Sequence, residues 1–180
     1  MWKLKSFLHA TLNVPIVNSG YYVIPTFLSM EILKRESAYD SELFLNSELS
    51  KFGDVFGADL ALFTVIHRWD KSAIAAKVYV TVEYIFKSTK TNNIVYTRTA
   101  NITYDASIST NGGGLLGALV DMAASAINTV AIKYVDVARS CNTFTFKDLP
   151  AGKYSSTYGT DGDQLPGNKV FKVTIKKNYK

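Results

Sequence analysis

The stretch Ile74-Ala75-Ala76-Lys77-Val78-Tyr79-Val80-Thr81-Val82-Glu83-Tyr84-Ile85-Phe86 decides the fold. Ile74, Ala76, Val78, Val80, Val82, Tyr84 and Phe86 alternate with Ala75, Lys77, Tyr79, Thr81, Glu83 and Ile85. Successive side chains of a strand point to opposite faces, so this pattern predicts a strand with one buried face. Lys90-Thr91-Asn92-Asn93 supplies turn residues. Ile94–Tyr104 alternates again, with Ile94, Tyr96, Ala100, Ile102 and Tyr104 on one side. The two segments predict a long antiparallel hairpin.

Upstream of the hairpin, Leu60–Ile66 is almost continuously apolar, the pattern of a strand buried on both faces. Leu4, Phe7, Leu8, Leu12 and Ile16 share one helical face, with Pro15 expected to bend or restart the helix. Gly20 reads as its left-handed terminator. Tyr21–Ile24 reads as a short strand ended by Pro25. Phe27–Arg35 is a weaker helical stretch. A further helix, capped by Asp40 or Ser41, carries Leu43, Phe44, Leu45, Leu49 and Phe52, and the run Gly53–Gly57 closes it.

Downstream, Asn111-Gly112-Gly113-Gly114 is a flexible break before one long helix, Leu115–Ser140. Its expected apolar face is Leu116, Leu119, Val120, Ala123, Ile127, Val130, Ala131, Tyr134 and Ala138. Its expected polar face is Asp121, Ser125, Asn128, Asp136 and Arg139. The chain then becomes loop-rich from Cys141 through Pro166, and Val170–Ile175 forms a last strand. The expected class is α/β: a mixed sheet with a long antiparallel hairpin and helices packed on it. One domain over residues 1–166 is followed by a basic tail, 167–180.

Composition agrees with one folded domain. The chain has 180 residues, 47% hydrophobic and 19% charged, enough apolar content for its own core and too little charge for global disorder. The net charge is +5, but Lys169, Lys172, Lys176, Lys177 and Lys180 concentrate it in the tail. No basic stripe with interleaved aromatics is present, so nucleic acid is not an expected partner. Cys141 is the single cysteine, which excludes an intramolecular disulfide. Leu115–Ile132 is not a membrane span, since Asp121 alone costs about 2.5–3.5 kcal/mol near a span's centre and cancels most of the apolar gain.

No catalytic constellation emerges. The glycine run lacks the Lys-Ser/Thr of a phosphate loop, because Leu115-Leu116 follows it. Asp161-Gly162-Asp163 lacks the ligand spacing and distal glutamate of a calcium loop and reads as a turn. Two histidines, His9 and His67, and one scattered cysteine make no zinc site. Glu83 reads as a solvated cross-strand partner. His67-Arg68-Trp69-Asp70 is the densest cluster of functional side chains, and it falls where a strand is expected to end. His67, Arg68 and Trp69 are therefore the candidate binding residues, with a structural turn as the competing reading. We expect no catalytic residue, metal or cofactor.

Several strings in a shared order resemble the lipoprotein family typified by a neisserial genome-derived antigen. They are Pro15-Ile16, Gly20-Tyr21-Tyr22-Val23-Ile24-Pro25, Phe56-Gly57-Ala58-Asp59-Leu60-Ala61-Leu62, the hairpin Tyr84–Thr97, Gly113–Val120, Leu149-Pro150-Ala151-Gly152 and Tyr158-Gly159. Within them, Gly20, Tyr21, Tyr22, Pro25, Phe56, Gly57, Ala58 and Asp59 are matching positions with structural explanations. The resemblance implies a fold similar to the N-terminal domain of the Tol-system periplasmic protein and the curli secretion lipoprotein core. It implies a lipoprotein of the outer membrane facing the periplasm, and no catalytic residues to carry over.

The resemblance also implies a signal peptide, a lipid-modified cysteine and an apolar first strand upstream of Met1. That strand would lie between Tyr21–Ile24 and Leu60–Ile66, leaving here either a slot or a substitute filler such as Val170–Ile175. The leading functional expectation is a non-enzymatic envelope lipoprotein acting in assembly or transport through contacts with envelope proteins, or as a homo-oligomer, with the membrane reached by the upstream lipid anchor. The alternative is a secretion component of the curli type that inserts the hairpin Ile74–Tyr104 into a membrane as a barrel element.

Overall fold

A computed structural model describes residues 2–35, 41–72, 74–108, 114–130, 132–163 and 166–177. The hairpin forms as expected. Strand β1 (Leu60–Ser72), β2 (Lys77–Ser88) and β3 (Ile94–Asp105) are antiparallel neighbours, and β4 (Val170–Lys176) adds to β3 in parallel, giving one open four-stranded sheet in the order β1-β2-β3-β4. On β2, Val78, Val80, Val82, Tyr84 and Phe86 are buried, and β3 matches them with Ala100, Ile102 and Tyr104. Ile94 is exposed instead, at the outer end of the hairpin.

The described helices are α1 (Trp2–Asn18), α2 (Thr26–Arg35), α3 (Ser41–Leu45), α4 (Ser50–Phe56), α5 (Gly114–Val130) and α6 (Tyr134–Thr145), and α1 and α6 close over that row. Leu8, Leu12 and Ile16 of α1 meet Val137, Ala138 and Cys141 of α6 within one core that includes the sheet residues, and Phe146 closes it. Phe171, Val173 and Ile175 of β4 pack against the same core. Pro15 is accommodated inside α1, and Gly20 at φ +84° ends it in the left-handed region that favours glycine.

Several expectations need correction. Tyr21–Ile24 is not a strand: Tyr21 and Val23 pack on the core while Tyr22 is exposed, so the alternation is satisfied by packing rather than by a ladder. The backbone beside it bonds a loop, Gly152 N–H to Ser19 O at 2.7 Å and Tyr154 N–H to Gly20 O at 2.9 Å. The slot between two parallel neighbours therefore has no counterpart among the described residues, and β4 lies beside β3 rather than beside Leu60–Ile66. The run Leu60–Ile66 is half-buried rather than buried on both faces, because β1 pairs only with β2 and is an edge. Ile74 and Ala76 belong to the β1–β2 turn, where Ala76 takes φ +48°.

The expected helix Leu115–Ser140 is two. The chain leaves the helix at Ile132-Lys133, which lets Ile132 enter the core before α6 begins. On α5 the expected faces are reversed where they are described. Leu119, Val120 and Ala123 are exposed, whereas Ser125 is buried and accepts the Ile108 N–H at 3.2 Å. The side chains of Leu116, Ile127, Asn128, Val130 and Ala131 lie outside the described residues, as do Asp40 and the run 111–113. The single helix expected from Ser41 is likewise two short ones, and the turn between them lets Leu49 bury fully. No described helix is long and apolar enough to cross a membrane.

Candidate functional site

The His67-Arg68-Trp69 cluster sits in the middle of β1, not at a strand end. The register slips between Ile66, opposite Val82, and Arg68, opposite Thr81, so His67 is the extra residue of a β-bulge. A regular strand sends neighbours to opposite faces; a bulge suspends that alternation. His67 and Arg68 consequently both reach the face away from α1 and α6. His67 Nε2 lies 2.9 Å from Glu83 Oε2, which makes Glu83 a cross-strand partner. The Arg68 Nε–H donates to Asp70 Oδ2 at 2.6 Å, and its guanidinium covers the Tyr79 ring at 4.8 Å. Trp69 turns the other way, packs against the core and meets Tyr134 edge-on at 6.0 Å. The structure thus keeps His67 and Arg68 together and separates Trp69 from them.

Beyond Arg68, the outer face opens into a groove of about 480 Å³ that crosses all four strands. At the hairpin end this face is covered. Lys87 is on the outward row yet only 6% exposed, and its Nζ donates to Leu45 O at 2.8 Å, at the end of α3. The groove lies in the uncovered remainder.

The matching family positions form two structural joints. In the first, Gly57 caps α4 at φ +60°, with its N–H on Gly53 O. Ala58 O then accepts from Thr89 Oγ1 at 2.6 Å, and Asp59 O accepts the Thr89 N–H at 3.0 Å. This ties α4 to the tip of the β2–β3 hairpin. The Asp59 carboxylate receives Lys90 at 3.3 Å and Lys153 at 3.4 Å, and these hydrogen bonds and charges hold its pKa below the usual value.

In the second joint, Gly20 and Gly152 lie backbone to backbone. A Cβ on Gly20 would stand 2.5 Å from Ser155 N, and one on Gly152 would collide with Gly20 O. The Tyr21 hydroxyl donates to Pro150 O at 3.0 Å, and the Ala151 N–H donates to Asp161 Oδ2 at 2.6 Å. Gly162 and Asp163 after it form a turn. Tyr22, Tyr154 and Tyr158 are left exposed around this joint.

Two buried groups were not anticipated. Arg98 occupies the core-facing row of β3 at 4% exposure. It donates to Thr145 O at 2.6 Å, pairs with Asp148 and lies 4.8 Å over the Phe171 ring. The bond from Arg98 pulls the Asp148 pKa down despite its partial burial. Asn142 is fully buried. It accepts from the Tyr84 hydroxyl at 2.7 Å and donates to Leu8 O at 2.9 Å and Thr11 Oγ1 at 2.8 Å. Both are structural ties. Cys141, fully buried beside them, has its thiol pushed up to about 12 by burial, which keeps it un-ionised. Among the described residues no group of three His, Cys, Asp or Glu side chains could hold a metal ion.

A family model described as "Putative lipoprotein GNA1162-like" matches residues 3–153. No curated protein matches the chain. Among solved structures, lipoprotein GNA1162 from Neisseria meningitidis is 18% identical with a TM-score of 0.46, over 65% of this chain and 79% of that one.

Proposed function

The chain belongs to the GNA1162-like family of cell-envelope lipoproteins, and from that premise we propose a non-enzymatic domain that faces the periplasm from an outer-membrane lipid anchor and works in assembly or transport through protein contacts. The observation that supports contact rather than catalysis is the Gly20–Gly152 joint. It brings two separate family strings together and surrounds them with the exposed Tyr22, Tyr154 and Tyr158. Tyrosine is enriched where proteins meet, because it offers a large apolar ring and a polar tip. The nucleophile that a hydrolase or transferase of the cysteine type would need is absent in practice, since Cys141 is buried and protonated.

The test uses the natural full-length protein in its own cell. Fractionation should recover it with the outer membrane, released by detergent and not by salt. A photo-crosslinking residue in place of Tyr22 or Tyr154 should give discrete crosslinked bands, and one in place of exposed Lys147 should not. Recovery in the cytosolic fraction would overturn the location. Identical crosslinking from all three positions would overturn the contact surface.

A further inference from the structure

We propose that the groove on the outer face of the sheet binds an acidic oligosaccharide. The geometry is a single cross-strand row. Arg68 of β1 stands opposite Thr81 of β2, Thr81 opposite Asn101 of β3, and Asn101 opposite Lys172 of β4. Directly paired residues share a face. The row therefore presents a cation, a hydroxyl, a carboxamide and a second cation across the whole sheet. Three strand spacings separate its ends, roughly 14 Å. Tyr79 and Thr103, paired with each other on the neighbouring row, also line the groove, as do Val80, Ile102, Val170 and Phe171.

The floor of the groove is preorganised. Thr81 Oγ1 donates to Asn101 Oδ1 at 3.0 Å, and Asn101 Nδ2 donates to Phe171 O at 3.3 Å, which fixes both side chains. Thr81 uses its proton inward, so its lone pairs remain to accept from ligand hydroxyls. Arg68 is held by Asp70 through Nε and by the Tyr79 ring, which leaves its two terminal nitrogens for an anion. Lys172 is exposed and makes no ion pair among the described residues.

The lining also selects between two anionic polymers. The backbone donors and acceptors of this region are spent in the three ladders, so the face offers an acidic peptide no main-chain pairing. It offers hydroxyls, an amide and two separated cations, one of which, Arg68, lies over the Tyr79 ring and carries the Asp70 carboxylate on its Nε side. Those groups match a chain of hydroxyl-rich rings carrying carboxylate or sulfate. The site is independent of the tyrosine joint and of any protein partner.

The experiment is isothermal titration of the chain at low and physiological salt with three probes. These are a heparin-derived oligosaccharide, a neutral cello-oligosaccharide of the same length, and oligoglutamate of matched charge. The heparin fragment should bind, at least about tenfold more tightly than either of the others. The double variant Arg68→Gln/Lys172→Gln should lose at least about tenfold in affinity, while Lys147→Gln should not change it. Backbone amide shifts of the wild-type chain should move at Thr81, Asn101, Thr103 and Lys172, a measurement that needs no variant. Absence of binding to the heparin fragment, equal losses in the Lys147 variant, or shifts elsewhere would overturn the site. Oligoglutamate binding as tightly would overturn the saccharide in favour of an acidic peptide.

Discussion

The two faces of one sheet are built from alternate residues of the same strands and meet opposite fates. On the inner face, Val78, Val80, Val82 and Tyr84 disappear under α1 and α6, and the Tyr84 hydroxyl carried in with them is tied. The Tyr84 hydroxyl, Asn142 and Thr11 form one buried chain of hydrogen bonds. On the outer face, Tyr79, Thr81, Asn101 and Thr103 are half-buried, and Thr81 and Asn101 bond to each other within reach of water. A buried polar atom without its partner costs about 1–3 kcal/mol, whereas a solvated one trades the bond for water at little loss. The inner face thus specifies the fold, and the outer face is free to be chosen for binding.

The contrast can be broken at four places, from the largest effect down. Asn142→Ala strips partners from Tyr84, Leu8 and Thr11 at once and leaves a cavity, so unfolding in urea should show a loss of about 3 kcal/mol. A loss below about 1 kcal/mol would mean the inner network is not a constraint. Asp148→Asn removes the charge facing buried Arg98, and about 1–2 kcal/mol should go, reduced because the carboxylate is partly exposed.

The same pair has a pH signature. The Asp148 pKa is lowered in the folded state, so its contribution is complete above the ordinary carboxylate value of 3.8. It disappears as pH falls from there through the folded value. An acid titration of the Asp148→Asn variant should be flatter in that window than that of the wild type, and superposable curves would remove Asp148 from the account. Tyr84→Phe deletes one bond and leaves Asn142 with an unsatisfied oxygen, for about 1 kcal/mol by the same denaturant measurement. Thr81→Val, on the outer face, should change stability by less than about 0.5 kcal/mol. If its effect equals that of Tyr84→Phe, the two faces do not differ as argued.

Much of this was legible in the residues. Period-two alternation located β2 and β3 because each has one buried face. The same alternation places Arg98 on the row of Tyr96, Ala100 and Ile102, so its burial was visible in its parity, although its partner Asp148 lies far along the chain. Other features left weaker traces. The bulge at His67 breaks the alternation that would have extended β1 beyond Ile66. The α5–α6 break has no Gly, Pro or capping side chain to announce it, since Lys133 starts α6 without a side-chain cap. Tyr21–Ile24 had the apolar character of a strand because it packs on the core, and nothing local distinguishes that from ladder pairing. The candidate site was half legible: His67 and Arg68 were identified, but Thr81, Asn101 and Lys172 join Arg68 only through a register that spans four strands.

The clasp between Gly20 and Gly152 also bears on how the chain folds in time. Its bonds, Gly152 N–H to Ser19 O and Tyr154 N–H to Gly20 O, close almost the whole intervening chain into a loop. Bringing such distant ends together costs roughly 4 kcal/mol of chain entropy before any contact repays it. Local pairing between β2 and β3 closes only a short turn, so that hairpin can form while the clasp is still open. At the meeting point itself the contact is bare backbone, with the Tyr21 hydroxyl on Pro150 O beside it. The joint that unites the family strings is thus a late step in folding and an early one in opening, and in amide hydrogen exchange it should report partial unfolding before the strands do.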